Sequence, residues 1–144
     1  MRRRILIVVA LVVIPLSAAT VAPWLIYWFG LNQIQDRPTA ATHTVTAEQI
    51  DGLLKRLRIS QPVQIDPISP YSYFLQGAHP SSSTRVAWII ARSYNAKNLS
   101  DRRMLYWHVS GMALTIWLTR NWTRTELIAK AVELDTPMAA SAAP

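Results

Sequence analysis

The apolar positions change their spacing along the chain, and each change predicts a different element. Ile5 to Leu31 is an apolar run of 27 positions without one charged residue. About 20 such residues cross a bilayer as a helix, and the prolines inside it, Pro15 and Pro23, are tolerated there. Asn32 to Val45 is polar and reads as a linker. Ile50, Leu53, Leu54 and Leu57 then follow the helical period, behind a capping box of Thr46 and Gln49. They predict an amphipathic helix over about Ala47 to Arg58, with Lys55, Arg56 and Arg58 suited to the negative end of its dipole.

From Ile59 to Ser81 the pattern is broken by Pro62, Pro67, Pro70, Pro80 and Gly77. That density forbids a long helix or a central strand. Val63 to Ile65 suits a short extended piece, and Tyr71, Tyr73, Phe74 and Leu75 are expected to dock on the helices. Ser81, Ser82 and Ser83 offer N-caps to a helix over about Thr84 to Tyr94, with Val86, Ile89, Ile90 and Tyr94 on one face. Lys97 to Leu99 connects onward.

Ser100 to Leu134 is the organising stretch. Ser100 and Asp101 suit a helix start, and Leu105, Val109, Met112 and Ile116 recur near the helical period. A turn at Asn121 to Thr123 leads to a second capping box, Thr123 with Glu126. Leu127, Ile128, Ala131, Val132 and Leu134 supply the next buried face. The expected class is mainly α: a basic cap and transmembrane anchor over 1–31, a linker over 32–45, a small helical domain over 46–135, and a disordered tail over 136–144.

Arg2, Arg3 and Arg4 precede the apolar run and, by the positive-inside rule, hold the N-terminus in the cytoplasm. The helical domain is then expected in the periplasm, on a single-pass protein of a bacterial inner membrane. Trp24, Tyr27, Trp28 and Phe29 would form the aromatic belt at the far side. A cleaved signal peptide is the rival, with Ile5 to Leu16 as its core and a cleavage zone between Ser17 and Ala22. The anchor is preferred because the apolar run continues through PWLIYWFGL.

Net charge is +7, and Arg2 to Arg4 contribute three of it. Residues 82–130 are the most uneven part, with eight basic side chains against Asp101 and Glu126. Arg92, Arg102, Arg103, Arg120 and Arg124 are therefore candidates for lipid headgroups or phosphate, with a plain solvated helix face as the alternative. Nucleic acid is not expected as a partner, since this surface is predicted to lie outside the cytoplasm. With no cysteine, a disulfide or thiolate metal site is impossible. His43, His79 and His108 lack metal-ligand spacing, and His108 reads as structural. No cofactor is expected. No G-x-S-x-G elbow or glycine-rich phosphate loop occurs, and the sparse carboxylates suggest no acid pair. Trp88, Trp107, Trp117 and Trp122 read as core or interface anchors.

Gly111 to Ile128, GMALTIWLTRNWTRTELI, resembles the run after the second catalytic glutamate of the peptidoglycan glycosyltransferases, most closely the monofunctional transglycosylases. Ala113, Leu114, Thr115, Trp122, Thr123, Arg124, Leu127 and Ile128 fall in register, and Ala91-Arg92 matches upstream. The likeness covers about 50 of the 144 residues. It implies part of a lysozyme-like domain and lipid II or peptidoglycan as ligand. The departures are decisive for activity. Gly111 stands where the family has its second glutamate, Trp88 and Ile89 replace a Gln-Gln pair, and no E-D-x-x-F motif exists: Glu48 is followed by Gln49, Asp66 by Pro67. No catalytic residue is assigned. The expected function is a binding or scaffolding component, a pseudoenzyme beside cell-wall synthesis or in an envelope complex with another envelope protein. The alternatives are a divergent lipid II glycosyltransferase and a purely structural membrane-complex subunit.

Overall fold

The computed structural model describes residues 2–41, 44–61, 63–99 and 103–141, and the side chains among them from Leu11 to Asp135. The expectations placed on His43, Pro62, Ser100, Asp101, Arg102 and the side chains of Arg2 to Arg4 fall outside these. The described chain is mainly helical and without strands. In order it forms α1 (Arg2–Asn32), α2 (Ala47–Arg56), α3 (Pro70–Leu75), α4 (Ser82–Asn98), α5 (Met104–Asn121) and α6 (Arg124–Ser141).

Helix α5 is the centre, packed against α1 on one side and α4 on the other. Its stretch from Ser110 to Thr119 is buried except at Trp117, as a helix surrounded by neighbours must be. Leu114 and Leu118 join Leu53, Leu54, Val86, Ile90, Leu127, Ile128, Ala131 and Val132 in one core, between α2, α4, α5 and α6. Met112, Ala113 and Ile116 turn the other way, into a second core with Tyr27, Leu31 and Ile68. The spacing through Leu105, Val109, Met112 and Ile116 thus traces one of two buried faces, and Leu105 itself is exposed. The buried hydroxyls find partners close by: Thr115 Oγ1 donates to the Gly111 carbonyl at 2.8 Å, and Ser110 Oγ accepts from Asn95 Nδ2 at 2.9 Å.

Three boundaries differ from expectation. Helix α5 begins at Met104, with Arg103 in the cap position and no side-chain cap hydrogen bond. Helix α4 runs past Tyr94 through Lys97 and Asn98, from an N-cap at Ser81. The α6 backbone stays helical to Ser141, into the stretch read from sequence as a disordered tail. Both predicted capping boxes form, Thr46 with Gln49 and Thr123 with Glu126.

The proline-rich segment holds an unpredicted helix, α3. Ser69 and Ser72 cap it reciprocally and Pro70 takes its first turn, where a missing N–H costs nothing. Of its apolar residues Pro70 is buried and Tyr73 packs against the core. Tyr71, Phe74 and Leu75 are partly or largely exposed, yet the Tyr71 hydroxyl reaches the Thr20 carbonyl of α1 and Phe74 borders a groove with Ile26 and Trp88. Of the four expected to dock on the helices, Leu75 stands clear. The linker is also more structured than its composition suggests: Ile34 and Pro38 are buried.

Candidate functional site

The junction between α1 and the domain gathers most of the chain's unusual side chains. Helix α1 is long and apolar enough to cross a membrane, from Leu11 to Asn32 among the described residues. Its last turns do not stand free of the domain. Tyr27 and Leu31 are only 6% and 3% exposed. Gly30 lies so close to α5 that a Cβ there would meet the Val109 carbonyl oxygen at 2.4 Å. The expected aromatic belt is therefore divided. Tyr27 faces the core, in edge contact with Trp24 at 5.9 Å and Trp28 at 5.3 Å. Trp28 and Phe29 remain exposed, Phe29 beside Tyr106 of α5 at 5.8 Å.

Two arginines finish the junction. Arg37 Nη1 donates to the carbonyls of Leu31 and Ile34 at 3.3 and 3.1 Å, closing the end of α1, while its guanidinium sits 5.7 Å from the Trp117 ring. A cation there suits the carbonyl end of the helix dipole. Arg120, exposed at the end of α5, lies 5.9 Å from the Trp24 ring. Sequence alone gave Arg37 no role, because it sits in a polar stretch without periodicity.

The other candidate arginines do not converge here. Arg124 is exposed across the turn from Arg120. Arg103 sits over Tyr106 at 4.5 Å, at the opposite end of α5, about 25 Å from Arg120 by helix rise. Arg92 is exposed midway along α4. Arg102 lies outside the described residues. Of the proposed set, Arg120 contacts α1, through Trp24; Arg124 follows it across the turn into α6, and Arg92 and Arg103 lie well apart.

Beside the junction is an apolar groove of about 360 Å³, lined by Ile26, Tyr73, Phe74, Trp88, His108, Val109 and Met112. His108 is exposed at its edge, so it is not a core histidine. Burial raises the Tyr73 phenol above its usual pKa and keeps it protonated. Gly111 is a close crossing of α4 and α5. A Cβ there would meet the Trp88 ring at 2.8 Å, so a glutamate would have to displace the indole.

Five of the seven described carboxylates have partners within the fold. Glu126 accepts from the Thr123 N–H at 2.7 Å and from its hydroxyl at 2.8 Å, and these bonds, the backbone one first, hold its pKa below the ordinary value. Asp135 pairs with Arg56, Glu133 with Lys130 at 2.8 Å, Asp51 with Gln61, and Asp66 with Gln64 at 3.0 Å. Among the described residues no cluster of His, Asp and Glu could hold a metal ion. The chain matches no protein-family model, no curated protein and no solved structure.

Proposed function

We propose that this chain is a single-pass membrane protein whose helical domain is a non-catalytic binding module, fixed to its anchor and presenting Arg120 and Arg124 to anionic headgroups. The supporting observation is the burial of Tyr27 and Leu31 of α1 among Met112, Ala113 and Ile116 of α5. An anchor that merely tethers would leave its last turns outside the domain. With the basic cap in the cytoplasm, the domain lies on the periplasmic face of a bacterial inner membrane. A scaffolding role beside cell-wall synthesis extends this reading on the resemblance of residues 82–128, with lipid II as the ligand of choice to test.

Native mass spectrometry of the full chain, extracted from membranes in mild detergent, tests the headgroup role. Retained phosphatidylglycerol should fall several-fold in the double variant Arg120→Gln, Arg124→Gln, and much less in Arg92→Gln. Equal retention in all three would remove the headgroup role, and glycan polymerisation from lipid II by the purified protein would overturn the non-catalytic reading.

A further inference from the structure

Helix α1 sets how deep the rest of the chain can reach. A hydrocarbon core of about 30 Å takes about 20 helical residues. Every 20-residue window within the uncharged run Ile5 to Leu31 contains Thr20. In the outermost placement, ending at Trp24, Thr20 is still about 6 Å inside the hydrocarbon edge. The Thr20 carbonyl nevertheless accepts a hydrogen bond from the Tyr71 hydroxyl in α3. The Tyr71 side chain of α3 therefore reaches lipid depth if α1 spans, and α3 itself lies at the boundary.

The composition of α3 fits that position. Tyr71, Phe74 and Leu75 are 36%, 49% and 85% exposed, a cost in water for the largest of them. No Asp, Glu, Lys or Arg occurs between Asp66 and Arg85, although the chain as a whole is basic. The helix closes its own backbone ends: Ser69 and Ser72 cap the start, and the Gln76 N–H returns to the Ser72 carbonyl at 3.2 Å. Backbone groups near hydrocarbon need such internal partners. Arg120, over Trp24 of the same outer turns, has the long stem that lets a guanidinium reach headgroups from an apolar boundary. The apolar groove is lined in part by Ile26 of α1 and Phe74 of α3.

We propose that α3 is a second membrane contact, inserted through Tyr71, Phe74 and Leu75 into the acyl-headgroup boundary of the bilayer that α1 spans. The inference rests on α1 being a spanning helix. Its geometry is that of an interfacial segment, lying in the plane of the membrane with its apolar side down. The domain is thereby held at two points, and it cannot rotate freely about the anchor.

Because the chain has no cysteine, single labels test this directly. The full chain carrying Leu75→Cys, Leu16→Cys or Glu48→Cys is labelled with a polarity-sensitive fluorophore. It is then reconstituted into vesicles of phosphatidylcholine and phosphatidylglycerol with brominated acyl chains. The label at Leu75→Cys should be blue-shifted and quenched several-fold more than that at Glu48→Cys on α2. Quenching at Leu16→Cys with none at Leu75→Cys overturns the inference and leaves the spanning helix intact. A blue shift at Leu75→Cys without bromine quenching also overturns it, since a second copy or another protein would then cover α3. Absence of quenching at Leu16→Cys removes the spanning helix, and the inference with it.

Discussion

Two glycines show how closely this small domain is fitted, and they differ in what surrounds them. A Cβ on Gly30 would strike the backbone of Val109 and the methyl of Ala113, neither of which can move without shifting a helix. Gly30→Ala should therefore destabilise by about 1–3 kcal/mol, where the same change in an exposed helix gains about 1 kcal/mol. Thermal unfolding in detergent measures it. At Gly111 the obstacle is the rim of the Trp88 indole, a side chain bordering a groove. Glu126 carries a different kind of information. Its pKa is lowered by the Thr123 N–H first and the Thr123 hydroxyl second. A lowered folded value means that the ionised cap stabilises fully above the ordinary carboxylate pKa. That contribution is lost as pH falls through the lowered value. The melting-temperature advantage of the native chain over Glu126→Gln should thus be present at neutral pH and shrink as pH falls below the ordinary carboxylate range.

At the scale of elements, legibility followed from how local the cause was. Both capping boxes, Thr46 with Gln49 and Thr123 with Glu126, were readable because their partners are three residues apart. The face of α6 through Leu127, Ile128, Ala131 and Val132 was readable for the same reason: a periodic stripe implies a neighbour. Helix α3 was hidden because Pro70 reads as a breaker unless Ser69 is seen as its N-cap. Ile34 and Pro38 were hidden in a polar stretch, since their burial comes from distant helices. The arginines could be named from sequence, but their division between the two ends of α5 depends on the fold. The junction yields a further prediction. A chain starting at Pro23 retains Tyr27 and Leu31 and should keep native tertiary structure in mild detergent. One starting at Gln33 loses both, at about 1.5–3 kcal/mol each, and bares Met112 and Ile116. Against a typical total of about 5–15 kcal/mol, that loss should abolish the near-ultraviolet circular dichroism of the tryptophans.

For the whole molecule, the consequence is a domain that shares its core with the end of the long apolar helix α1. Helix α5 stands between two cores, one closed by α2, α4 and α6 and the other by the end of α1. Force or tilt applied to α1 would bear on Tyr27 and Leu31, which pack against Met112 and Ile116 of α5. Helix α2 is the outlying piece, held to α6 by Leu53 and Leu54 and by the Arg56 to Asp135 pair. A label there reports whether the whole unit moves with α1. Double electron–electron resonance on the full chain in lipid bilayers, with spin labels at Leu25→Cys and Glu48→Cys, measures this in one experiment. A single narrow distance distribution is expected if anchor and domain form one rigid body. A broad distribution, as from a domain on a flexible tether, would contradict the shared core and the function proposed from it.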